Sequence, residues 1–110
     1  MAYVARHRFA RIAPQKARLV ADQIRGTAVD RALATLELSK RRGGWYLRAV
    51  LRSAIANAEE KSADVGRLVV TEVRIDEGPT IKRFQPKDRG RAHPIRKRTS
   101  HILVAVEERN

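Results

Sequence analysis

The sequence predicts an α+β fold in which one strand and three helices lead into a long antiparallel hairpin. Three observations support this. Apolar residues recur at helical spacing in three successive segments between Pro14 and Lys61. Two later stretches, 68–76 and 101–107, alternate with period two. The residues between those stretches are strongly cationic and lack the apolar alternation that covers a core.

Residues 3–9 read as a short strand. Pro14 opens the first helix, because proline fits the first helical position. Ala17, Val20, Ala21 and Ile24 form its stripe, and Gly26 stops it. Thr27 with Asp30 three residues later has the form of a capping box before a second helix, whose apolar face is Val29, Ala32, Leu33 and Leu36. The run Lys40-Arg41-Arg42-Gly43-Gly44 breaks the pattern. A third helix is expected from Trp45 to Lys61, buried along Leu47, Val50, Leu51, Ala54, Ile55 and Ala58, with Trp45 and Tyr46 packing at its start. Residues 64–67 read as a turn.

In the strand at 68–76, Val69, Thr71, Val73 and Ile75 are expected on one face and Glu72, Arg74 and Asp76 on the other. In the last strand Ile102, Val104 and Val106 alternate with His101, Leu103 and Ala105. If Ile75 lies near Leu103, the midpoint is residue 89. One hairpin over 68–107 is then expected, with Arg89-Gly90 as its turn. Its outer part, about 79–99, would reach roughly 30 Å beyond the body at ~3.3 Å per residue. Such a two-stranded ribbon is marginal in water and orders against a partner.

The chain has 110 residues, expected to form a single domain over 1–110 with 79–99 as an arm within it. Aromatics are 5% of residues against 43% hydrophobic, so the core must come from Ala, Val, Leu and Ile. The net charge is +12, and its distribution is uneven. Lys82, Arg83, Lys87, Arg89, Arg91, Arg96, Lys97 and Arg98 face one acid, Asp88, in residues 80–99. Arg6, Arg8, Arg11, Lys16, Arg18 and Arg25 face one acid, Asp22, in residues 1–27. The remainder is neutral overall. Self-repulsion at such a charge opposes folding unless a polyanion screens it, so nucleic acid is the expected partner.

Cysteine is absent, which excludes disulfides and Cys-based zinc. No apolar run approaches the ~18 residues of a membrane span, and residues 1–13 hold no stretch of signal-peptide length, so a cytoplasmic protein without membrane partners is expected. His7, His93 and His101 have no metal-ligand spacing. No nucleophile–base set, phosphate loop or dinucleotide fingerprint is present. Neither an enzyme nor a cofactor is expected. Asp76-Glu77-Gly78-Pro79 reads as a turn at the root of the arm, its acids capping it or holding a basic neighbour.

Three portions of the chain carry a family resemblance. The most specific is Asp76-Glu77-Gly78-Pro79, then Lys82-Arg83, Pro86, Gly90-Arg91-Ala92 and Lys97-Arg98-Thr99-Ser100-His101-Ile102. The second is Ser53-Ala54-Ile55-Ala56-Asn57-Ala58-Glu59. The third runs from Pro14-Gln15-Lys16-Ala17-Arg18 through Asp22 to Arg25-Gly26. Together, in this order and spacing, they resemble ribosomal protein twenty-two of the bacterial large subunit. The resemblance implies three helices against a small three-stranded antiparallel sheet, with one long protruding β-hairpin. It implies a structural constituent that binds 23S rRNA, supports assembly and lines the peptide exit tunnel with its hairpin tip. Partners would be rRNA, other large-subunit proteins and, transiently, the nascent peptide; no homo-oligomer is expected.

Carried over, the tip is Lys87, Asp88, Arg89, Gly90, Arg91, Ala92 and His93. The rRNA-binding residues expected from charge and position are Arg6, Arg8, Arg11, Lys16, Arg18, Arg25, Lys82, Arg83, Arg96, Lys97 and Arg98. Ala13 departs from the family's Ser or Thr before the helix proline. Pro86-Lys87-Asp88-Arg89-Gly90-Arg91 departs from the family's Pro-Arg-Ala-Lys-Gly-Arg. Two rivals weigh against this reading. A DNA-architectural module would need an apolar wedge at the tip, and a small basic enzyme acting on RNA would need a paired His or carboxylate site. The sequence shows neither.

Overall fold

The computed structural model describes residues 2–87 and 91–109, with 81–87 and 91–97 as backbone. Among these are three α-helices and five strands, in the order β1 (Ala2–Ala10), α1 (Pro14–Ile24), α2 (Val29–Leu38), α3 (Arg42–Glu60), β2 (Leu68–Glu77), β3 (Ile81–Lys87), β4 (Arg91–Lys97) and β5 (Ser100–Glu108). A 3-10 turn, Val65–Arg67, precedes β2 and is capped by the Asp64 carboxylate, which accepts from the Gly66 N–H. The fold is α+β. The three helices pack on an antiparallel sheet of order β1-β5-β2, and β3 and β4 pair as a separate two-stranded ribbon.

β5 takes the centre because its side chains are apolar on both faces. Ile102 to Val106 are all buried. Ile102, Val104 and Val106 join the core beneath the helices, while Leu103 on the outer face is flanked in register by Arg6 and Arg74. The helical stripes fall as the spacing predicts: Ala17, Val20, Ala21 and Ile24 on α1; Val29, Ala32 and Leu36 on α2; Leu47, Val50, Leu51, Ala54 and Ala58 on α3. Leu33 and Ile55 are partly buried against that core.

Four local expectations are corrected. The first is the capping box. The Thr27 hydroxyl turns back and donates to the Ile24 carbonyl at 2.7 Å, so α2 starts after Ala28 without a side-chain cap. The Thr27 carbonyl is engaged elsewhere, accepting from the Val70 N–H at 2.8 Å.

The second is the start of α3, which begins at Arg42 and includes both glycines. A Cβ at Gly43 would lie 3.2 Å from Val20 Cγ2, and one at Gly44 would lie 2.9 Å from Ser39 Cβ. These glycines allow close helix crossing rather than breaking the helix. The helical phase then buries Tyr46 but leaves Trp45 60% exposed.

The third concerns β2. Leu68 and Val70 are buried, and so are Val73 and Ile75, whereas Val69 and Thr71 are half-buried. The ladder passes from Val70↔Val106 to Glu72↔Ala105, leaving Thr71 as an extra residue. That bulge shifts the side-chain phase by one, because strand periodicity is two.

The fourth is the continuous hairpin. In the sheet Ile75 pairs with Ile102 and Glu77 with Ser100, whereas the ribbon starts at Ile81↔Lys97. Three residues, 78–80, therefore face two, 98–99, and the two ladders are offset by one. The longest extent of the molecule is 64 Å, against 24 and 16 Å on the other axes. Its radius of gyration is 16.8 Å, where a compact chain of this length would give ~13 Å.

Candidate nucleic-acid interface

The root of the ribbon is tightly tied. Thr99 and Ser100 are the buried polar residues of the described chain. The Thr99 carbonyl accepts from the Gly78 N–H at 2.9 Å, and its hydroxyl donates to the Pro79 carbonyl at 2.7 Å. A Cβ at Gly78 would collide with Thr99 Oγ1, so only glycine permits this approach. The Ser100 hydroxyl donates to the Ile12 carbonyl at 2.6 Å. This bond joins the foot of the ribbon to the loop between β1 and α1.

Beside that junction lies a cleft of about 790 Å³. Its cations are Arg11, Lys16, Arg41, Arg42 and Arg98, all exposed, and no acid lines it. None of the five has an ion-pair partner among the described residues. Its apolar floor includes Ile12 and the close-packed Gly43. The cleft also receives the N-terminal ends of α1 and α3. Neither helix has a side-chain cap, and neither has an acid in its first turn. Helix N-termini favour negative charge. Here cations stand at both, Lys16 on α1 and Arg42 on α3, which is unfavourable until an anion arrives. Five cations and two uncapped helix ends make this cleft electrostatically suited to anions.

The structure sorts the other expected residues into three groups. Arg6 and Arg8 lie in a second groove on the outer face of the sheet, with Phe9, Arg74, Asp76 and His101. Arg18 and Arg25 point elsewhere. Arg18 donates to the Ile75 carbonyl at 2.9 Å, and Arg25 donates twice to the Val73 carbonyl, at 3.1 and 2.8 Å. Arg25 is also paired with Asp22. With the Gly26 N–H donating to the Val70 carbonyl at 2.8 Å, these groups cover the free edge of β2.

The third group lies on the ribbon. Its register sets Lys82 opposite Arg96 and Lys87 opposite Arg91. Like charges directly opposite destabilise a strand pair. Of the tip, Asp88, Arg89 and Gly90 lie outside the described residues. At the root, Asp76 holds Arg74 at 3.1 Å, as expected of an acid beside a basic neighbour.

Arg41 and Arg42 were not among the expected binding residues. Their signal was the run Lys40-Arg41-Arg42, which reads as a break between helices until the fold brings it beside Arg11 and Arg98. Among the described residues no three His, Cys, Asp or Glu side chains converge as a metal site, and no helix is long and apolar enough to cross a membrane.

The α+β fold with its two-stranded ribbon and cationic cleft has the features of a structural nucleic-acid-binding protein. The chain matches the family model for ribosomal protein L22p/L17e over residues 5–107 and belongs to that family. It is thus a structural protein of the large ribosomal subunit that binds rRNA, with ribosomal RNA and other ribosomal proteins as partners.

Proposed function

We propose that this chain is a bacterial member of the family that binds 23S rRNA in two ways. The cleft of Arg11, Lys16, Arg41, Arg42 and Arg98 grips phosphates beside the body. The arm, residues 79–99, threads between rRNA segments, where Lys82, Arg83, Arg96 and Lys97 neutralise phosphates that otherwise repel each other. Arg6 and Arg8 add contacts on the outer sheet face. Arg18 and Arg25 contribute through the β2 edge, by holding the body that presents the cleft.

The observation that carries this reading is the five-cation cleft at the foot of a two-stranded ribbon with like charges in register. Both features are unfavourable in the free protein and become favourable on a polyphosphate surface. Binding at both places would tie the body to the arm during subunit assembly. The tip, Lys87 to His93, then reaches the peptide exit tunnel and meets the nascent peptide transiently. The role is structural and cytoplasmic, without catalysis, cofactor or self-association.

Co-sedimentation tests the assignment. The tagged full-length chain is expected to remain with the large subunit through a high-salt wash. Release into the supernatant would refute it. A photo-crosslinker at residue 91 in stalled ribosomes is expected to reach the nascent chain, and failure to do so would remove the tunnel role.

A further inference from the structure

The end of β1 is locally strained. The ladder to β5 is irregular between His7 and Ala10. Within that irregularity Phe9 has φ +59°, a conformation that bulky L-residues rarely enter. Strain of this kind persists where surrounding structure enforces it and clusters at functional positions. Core packing does not account for it, because the Phe9 side chain is 57% exposed.

His101 enforces the conformation. Its Nδ1 accepts from the Phe9 N–H at 3.1 Å. Its ring meets the Phe9 ring edge-on, at 4.9 Å between centroids and 84° between planes. An edge-on partner leaves an aromatic face available. That ring borders a groove of about 430 Å³ shared with Arg6, Arg8, Arg74 and Asp76. Arg74 is occupied by Asp76 and Glu72. Arg6 and Arg8 have no ion-pair partner among the described residues.

We infer that Phe9 is a stacking platform for one unpaired RNA base, whose flanking phosphates are held by Arg6 and Arg8. This rests on the rRNA-binding reading and adds a base contact to it. An exposed ring that shares a groove with two guanidiniums lacking ion-pair partners among the described residues matches the two halves of a single-stranded nucleotide, its π-face and its phosphate. An apolar peptide would satisfy the ring and leave both charges unanswered.

The test uses the full chain, purified 23S rRNA and the variants Phe9→Gly, Phe9→Tyr and Arg8→Ala. Glycine accepts φ +59° without strain, so Phe9→Gly is expected to melt no lower than the parent. It is nevertheless expected to bind rRNA about tenfold more weakly, with an unchanged salt slope. Phe9→Tyr keeps the platform and is expected to bind like the parent. Arg8→Ala is expected to make the slope shallower by roughly one phosphate contact. Parent-like affinity in Phe9→Gly would overturn the platform while leaving rRNA binding intact, and would leave the ring for a protein partner. A parent chain that does not bind would overturn both readings.

Discussion

The Ser100 hydroxyl donates to the Ile12 carbonyl at 2.6 Å, and the serine is fully buried. The bond spans 88 positions of sequence and joins the first residue of β5 to the floor of the cationic cleft. It fixes where Arg98 leaves the ribbon relative to Arg11. Ser100→Ala would leave a buried carbonyl unsatisfied, at a cost of about 1–3 kcal/mol. A melting temperature lower by roughly 5 °C or more is expected in a thermal scan. An unchanged melt would mean that the junction is replaced by water and does not organise the cleft.

Gly44 offers a test of helix packing against helix propensity. Alanine is the better helix former by ~1 kcal/mol. Yet a Cβ at Gly44 would lie 2.9 Å from Ser39 Cβ and 3.3 Å from the Leu36 carbonyl oxygen. Overpacking of this kind typically costs ~1–3 kcal/mol. Gly44→Ala is therefore expected to be net destabilising in chemical denaturation. A stabilised variant would show that α2 and α3 can separate freely.

Arg18 and Arg25 are expected to separate stability from binding. Their guanidiniums serve β2 carbonyls, so Arg18→Ala and Arg25→Ala should each destabilise by about 1 kcal/mol, below the ~1.5–3 kcal/mol of charged hydrogen bonds because the groups are partly exposed. Affinity for rRNA, measured well below the melting temperature, should change less than for cleft variants. A large affinity loss without a stability loss would move these residues to the interface.

Charge reversal in the arm should leave the body folded. β3 and β4 pair with each other in a sheet separate from β1-β5-β2. The double variant Arg89→Glu with Arg91→Glu is expected to keep the parent melting transition and to perturb the tunnel-side contacts of the tip, read as altered crosslinking to the nascent chain in stalled ribosomes. Loss of the transition in the isolated chain would contradict the separation of arm from core.

What was legible in the sequence was whatever depends on local periodicity. The helical stripes and the alternation of β5 are set by neighbours three, four or two residues apart, and they appear as spaced. The features that were not legible depend on contacts distant in sequence. Thr71 could be recognised as a bulge only from the register against β5. The Thr27-Asp30 motif lost its cap because Ile24 and Val70 offered Thr27 other partners. Gly43 and Gly44 read as breakers because local propensity ignores the close approach of Val20 and Ser39. Arg18 and Arg41 look alike as charges. One lies over the β2 edge and the other beside Arg98, and only the fold distinguishes them.

The most direct measurement is the salt dependence of binding to 23S rRNA by the parent and by Arg41→Ala with Arg42→Ala. Each phosphate neutralised steepens the slope of log K against log salt by about 0.8, so the five cleft cations contribute about −4 to the parent's slope, and removal of two should make it shallower by about 1.6. The double variant should lose at most about 1 kcal/mol of stability, because neither charge has an ion-pair partner among the described residues and Arg42 stands over the Tyr46 ring only at 5.8 Å. A flat response in the parent, or an identical slope in the double variant, would contradict the cleft as the place where the protein holds rRNA.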